Sequence, residues 1–268
     1  AGVKLKRSIG TPEADYIDPF LMLDEFGSDN KDDYVAGFPP HPHRGIETVT
    51  YMLNGKFEHQ DSTGAKGTMA PGDVQWMKTG RGIIHSEMPA MSGGKLLGFQ
   101  LWINMPAKLK KNKPKYIYIK GNELGVHSDN EKTVKVIAGK YLKVVGPEKN
   151  HNVDPIYFHI ILEEGKEFKC EVPFSHNSFI YILKGDLKIG KKSGIIIWFI
   201  TFSSINFFIV FFLKFNVRIF IVYNNFLLFF YLYSLVKKKN TTKHSYRWRS
   251  WSTSSCYRMD YINWIVDD

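Results

Sequence analysis

The chain has 268 residues, 15% of them aromatic, and only two cysteines, Cys170 and Cys256. That length supports one large or two small domains with real cores, and so few cysteines exclude a disulfide scaffold and fit a reducing compartment such as cytosol or nucleus. The net charge of +10 divides unevenly: residues 1–193 carry 27 Lys/Arg against 23 Asp/Glu, residues 194–268 carry 9 against 3, and the small excess of the first segment does not argue for direct nucleic-acid binding.

The opening residues, Ala1 to Ser8, lack the apolar run of a secretory signal, so no export is expected. From Val35 to Met105 the chain reads as short runs of β-branched and aromatic residues cut by Gly and Pro. Glu47–Leu53 is a predicted strand, and Asn54-Gly55 after it is a strong hairpin signal. Thr63–Gly67 and Ala70–Asp73 read as turns, and Leu97–Ile103 as another strand. No sustained 3.6-residue period interrupts this texture, which predicts a sandwich, jelly roll or small barrel.

Pro106 to Lys115 holds five lysines, at 108, 110, 111, 113 and 115, and reads as a solvated linker, with a phosphate or nucleic-acid patch as the alternative. Strands resume at Tyr116–Ile119, Val134–Ile137, Ile156–Leu162 and Ser178–Leu183. Tyr181-Ile-Leu-Lys-Gly185 echoes Tyr51-Met-Leu-Asn-Gly55, a weak internal repeat that suggests a duplicated barrel.

After Gly194 the composition changes. Ile195–Leu213 and Ile219–Val236 carry no charge, and no Gly, Pro, Ala, Asp or Glu occurs between Ile195 and Asn240. Hydropathy alone predicts a membrane hairpin. The bias is also the one that A/T-rich codons produce, and it begins where a second barrel is half built. The preferred reading is translated non-coding sequence from a retained intron, with a membrane segment or buried strands as alternatives. Such a run is expected to take an irregular course, and Arg247–Cys256 reads as an exon resumed in the wrong frame.

The chemistry lies earlier. Residues i and i+2 of a strand face the same side, so His41-Pro42-His43 aims two imidazoles together and His85-Ser86-Glu87 aims an imidazole and a carboxylate. Two such pairs converging inside a small barrel make a metal site of three His and one carboxylate, suited to Fe(II), with other divalent transition metals possible. Glu47, an even number of residues from His43, is a further candidate, as a ligand or as a partner that orients an imidazole. His59 and Asp61 share the same spacing but read as loop contacts. His127, His151, His159, His176 and His244 are isolated and read as structural or exposed. Trp76, Phe99 and Trp102 read as core rather than as substrate platforms. Arg44 and Arg81 flank the ligand pairs, where they can meet Glu47, Glu87 or an anionic substrate.

Lys6-Arg-Ser-Ile-Gly10, Asp18–Phe26, Gly37–Tyr51, Pro71–Met77, Gly80–Pro89 and Gln100–Asn104 together resemble the pirins, over residues 4–105 and more loosely to about Lys192. The resemblance implies an all-β double cupin, two jelly-roll β-barrels, with an incomplete C-terminal barrel followed by an aberrant apolar tail. It divides the chain into a metal-binding cupin (1–105), a Lys-rich linker (106–115), a partial second cupin (116–193) and an atypical tail (194–268). It places one metal, usually iron, on His41, His43, His85 and Glu87. It further implies a quercetin 2,3-dioxygenase-type activity on flavonols, with Glu87 as the catalytic general base. Two other readings stand beside it: an iron-dependent nuclear co-regulator that meets a transcription factor without catalysis, and a truncated pirin without function. A monomer is expected in cytoplasm or nucleus, without membrane contact unless segment 195–236 is genuine.

Overall fold

The structure, a computed structural model, describes residues 2–149, 152–173, 176–192, 196–201, 206–214, 218–223 and 226–231. Its regular structure is β-strand apart from three single-turn 3₁₀ segments. The first barrel is built from β1 (Leu5–Ile9), β2 (Phe20–Ser28), β3 (Phe38–His43), β4 (Ile46–Asn54), β5 (Phe57–Asp61), β6 (Lys66–Met69), β7 (Val74–Lys78), β8 (Ile83–Pro89), β9 (Leu96–Asn104) and β10 (Lys115–Ile119). A six-stranded sheet in the order β1-β2-β9-β4-β7-β10 faces a four-stranded sheet in the order β3-β8-β5-β6.

The central strands β4 and β7 of the six-stranded sheet are covered on both sides, which explains their nearly unbroken burial. In β4, Val49 and Tyr51 join Trp76, Phe99 and Leu101 in a core shared with the second barrel, while Thr50 points the other way and donates to Glu87. The four-stranded sheet packs Phe57 against Phe26 and Phe38, with ring centroids 5.5 and 6.0 Å away, and these rings belong to an apolar cluster with Tyr34, Met52 and Leu96. β3, with the sequence Phe-Pro-Pro-His-Pro-His, is an edge strand, the place in a sheet where missing N–H donors are tolerated.

The second barrel continues with β11 (Gly125–Ser128), β12 (Lys132–Ala138), the short pair β13 (Lys140–Tyr141) and β14 (Val144–Val145), β15 (Ile156–Leu162), β16 (Glu167–Glu171), β17 (His176–Lys184), β18 (Leu187–Lys192), β19 (Ile196–Thr201) and β20 (Asn206–Lys214). Its sheets have five strands, β11-β12-β15-β20-β17, and three, β16-β19-β18, so it is incomplete beside the first. A separate hairpin follows, β21 (Arg218–Tyr223) with β22 (Phe226–Tyr231). The internal repeat has a structural counterpart. Tyr51 and Tyr181 both lie in the shared core, and Gly55 and Gly185 both take positive φ, at 80° and 86°. Polar contacts also cross between the barrels, from Tyr51 Oη to His159 Nδ1 at 2.7 Å and from Tyr181 Oη to Glu25 Oε2 at 2.6 Å.

Four expectations are corrected. Asn54-Gly55 does not close a hairpin: β4 pairs with β7 and β9 while β5 pairs with β6 and β8, so this turn carries the chain from one sheet to the other. The strand at 116–119 does not open the second barrel but pairs with β7 as an edge of the first, where Ile119 reaches the shared core. The Lys-rich segment is not wholly solvated, since Lys110 Nζ bonds Gly45 O at 2.7 Å and Asn104 Oδ1 at 2.6 Å. Finally, β19 and β20 run in regular antiparallel register, β20 between β15 and β17, because an uncharged run of high β-propensity pairs with open strand edges. The Arg247–Cys256 segment lies outside the described residues.

Candidate metal centre

β3 and β8 set the site. They pair antiparallel with His41 opposite His85, and alternation aims His43 and Glu87 to the same side. The three imidazoles crowd together, with ring centroids 4.4 Å apart for His41 and His85, 4.8 Å for His41 and His43, and 5.0 Å for His43 and His85. His41 Nδ1 lies 2.7 Å from Pro39 O and must carry the proton in that bond, which leaves Nε2 as the ring nitrogen free to turn toward the other imidazoles. Burial, with help from the neighbouring His41, lowers the pKa of His43 to about 4, and burial followed by the same neighbour and others lowers His85 to about 2. Both rings are therefore neutral near pH 7, as ligands must be.

Glu87 is fully buried. Its Oε1 accepts from Thr50 Oγ1 at 3.2 Å and Gln75 Nε2 at 2.9 Å, and its Oε2 from Gln100 Nε2 at 3.1 Å. Burial outweighs these bonds and raises its pKa. Ligand atoms of His41, His43 and His85 lie within 4.8 Å of one another, and so do those of His59, His85 and Glu87, with His85 common to both groups. The donor set fits a divalent transition metal. The Nε2 atoms of His43 and His85 are buried without a hydrogen-bond partner, and a cation would supply what they and the carboxylate lack.

With this geometry in place, the comparisons decide the family. The Pirin family model matches residues 2–103. A pirin-like protein of Caulobacter vibrioides is 46% identical over 195 residues, 72% of this chain and 71% of that protein. The chain belongs to the pirin family. A solved quercetin 2,3-dioxygenase of Acinetobacter baumannii superposes with a TM-score of 0.67 at 25% identity, covering 84% of this chain and 85% of that one. An Escherichia coli pirin in complex with nickel(II) shares the fold, with a TM-score of 0.63 at 20% identity over 80% of this chain and 92% of the other.

Glu47, His59 and Asp61 depart from their sequence reading in this pirin, whereas His127, His159 and His176 are structural or exposed, as that reading has them. Glu47 does not face the metal site. Its Oε2 accepts from Trp76 Nε1 at 2.6 Å and its Oε1 from Asn152, on the side of the sheet turned to the second barrel. The even spacing from His43 fails because the strand breaks at Gly45, where φ is +70°, and the alternation restarts. His59 and Asp61 are not loop residues. They lie on β5, both buried, with His59 beside His85. Their signal in the sequence was the same i, i+2 spacing that marks the ligand pairs. His159 is buried and bonded to Tyr51, and burial lowers its pKa to about 3. His127 pairs with Asp129 at 3.0 Å and His176 with Asp154 O at 3.2 Å, while His151 and His244 lie outside the described residues.

Trp76 and Phe99 are core, as expected, but Trp102 stands with its ring 4.9 Å from His43 and borders an open cavity of about 430 Å³. Arg44 lines that cavity too, and neither Arg44 nor Arg81 forms an ion pair with Glu47 or Glu87. Gln75 and Gln100, which hold Glu87, lie inside the motifs Pro71–Met77 and Gln100–Asn104, but nothing in their spacing marks them as site residues. No helix among the described residues is long and apolar enough to cross a membrane.

Proposed function

We propose that this pirin binds one divalent transition-metal ion, Fe(II) by its donor set, through His41, His43, His85 and Glu87, and acts as a quercetin 2,3-dioxygenase-type enzyme on flavonols. The observation that carries the reading is the pair of unpartnered Nε2 atoms, on His43 and His85, buried beside the buried Glu87 carboxylate. When bound, the ion supplies Lewis acidity toward an oxygen-rich substrate and a redox-capable centre for dioxygen chemistry.

The protein's own part is proton transfer and placement. Glu87 Oε2 takes the hydroxyl proton of a flavonol, and the burial that raises its pKa makes it a better base than a solvated carboxylate. Gln75, Thr50 and Gln100 hold the carboxylate in place for that step. The cavity next to His43, lined by Leu21, Met22, Ile46 and Trp102, has the size of a small-molecule site and an apolar wall for a planar ring, with Arg44 at its side for an anionic group.

Anaerobic loading with Fe(II), removal of free metal, then quercetin and air tests the reading through the loss of quercetin absorbance. Stoichiometric iron with no change in absorbance would remove the enzyme and leave the co-regulator.

A further inference from the structure

We propose that His59 and Asp61 are positioning residues that fix the tautomer of His85, so that His85 Nε2 offers a lone pair to the metal. The inference rests on the metal reading above and adds two residues that are not themselves ligands. The argument starts at Asp61. Its Oδ1 already accepts from Thr63 N at 2.7 Å, Thr63 Oγ1 at 2.6 Å and Ala65 N at 3.2 Å, which leaves Oδ2 for His59 Nε2 at 3.0 Å. A carboxylate only accepts, so His59 Nε2 carries the proton. In the neutral ring the other nitrogen, Nδ1, is then a lone pair, and it faces His85 Nδ1 at 3.4 Å. Two lone pairs in opposition make no bond, so His85 carries its proton on Nδ1 and leaves Nε2 bare.

That Nε2 is the buried atom without a hydrogen-bond partner, in the ring that crowds His41 and His43. The opposite placement, a proton on His85 Nε2, would bury an N–H against two imidazoles and block coordination. Both ring nitrogens of His59 are engaged, so the group of His59, His85 and Glu87 is not a second metal site. The His59 ring is also held by its stack on Tyr116, with centroids 4.4 Å apart and planes 12° from parallel. Strand register builds the relay, because β5 sets His59 opposite Glu87 and Asp61 opposite His85.

Nitrogen-15 NMR of the metal-free, full-length protein reads the tautomers directly, and the expected result is a proton on His85 Nδ1 and on His59 Nε2. Asp61→Asn should reverse the relay. Three donors still require oxygen at the Oδ1 position, so the amide NH₂ must turn to His59 Nε2 and push its proton to Nδ1. Titration calorimetry with Ni²⁺ should then show affinity reduced about 10- to 100-fold, the usual cost of losing a partner behind a metal ligand. A wild-type His85 proton on Nε2, or unchanged Ni²⁺ affinity in a folded Asp61→Asn, would overturn the proposal. If that variant fails to fold, the wild-type spectrum decides alone. A wild type that takes up no Ni²⁺ yet shows the expected tautomers would defeat the metal reading and spare the relay.

Discussion

In the first barrel, His41, His43, Thr50, Gln75, His85, Glu87 and Gln100 gather inside the walls. In the second, the same space is taken by Val134, Val136, Phe158, Ile160, Leu162, Phe168 and Ile180. One barrel bears the desolvation of buried polar groups and holds them with a hydrogen-bond network around a cluster of imidazoles. The other gains stability from apolar burial, and among the described residues its core gathers no comparable cluster of imidazoles and carboxylate. The contrast sets a buried polar cluster in one half of the chain and an apolar core in the other, joined by the core around Tyr51, Trp76, Tyr157 and Tyr181.

The sharpest way to break that division is His85→Ala, which should abolish flavonol turnover and bring metal content, read by elemental analysis, to a small fraction of wild type. Full metal occupancy in this variant would show that the ligands have been misassigned. Glu87→Gln should keep metal within about tenfold yet cut turnover roughly 10²- to 10⁴-fold, since an amide cannot accept the proton. Equal turnover in this variant and the wild type would remove the base. On the other side, Phe158→Ala should cost about 3–5 kcal/mol in a denaturant titration while metal per folded molecule stays constant. A loss of metal from the folded fraction would mean that the second barrel shapes the site.

The smallest effect is on acid stability. His43, His85 and His159 have folded pKa values depressed to about 4, 2 and 3, below the unfolded value near 6.5. Between pH 6.5 and 4 the unfolded chain therefore holds more protons than the folded one, and stability falls as pH falls. The melting temperature of chelator-treated protein should drop steadily through that window, and a flat profile would contradict the buried neutral rings.

Much of this was legible in the sequence, for a physical reason. Strand alternation is local, so His41-Pro-His43 and His85-Ser-Glu87 announce a shared face before any fold is known. What escaped is what depends on where alternation stops and which strands meet. Gly45 resets the phase and sends Glu47 to the far side of the sheet. Asn54-Gly55 makes its turn, but strand pairing happens elsewhere. His59 and Asp61 matter only because β5 lies beside β8, a neighbour relation with no trace in local spacing. The apolar stretch after Gly194 reads as translated intron, yet β20 pairs with β15 on one side and β17 on the other. We expect the mature transcript to supply that strand from another exon, and an in-frame message retaining codons 194–240 would retire the intron reading.

The six-stranded sheet has a consequence for heredity as well as for stability. Along β4, even-numbered Thr48 and Thr50 alternate with odd-numbered Glu47, Val49 and Tyr51, and the odd set turns toward the second barrel. A point substitution at an odd position thus edits the seam between barrels, and one at Thr50 edits the hydrogen bonding of Glu87. A single-codon deletion within the strand would exchange the two sets, which makes this stretch permissive to substitution and intolerant of any change in length.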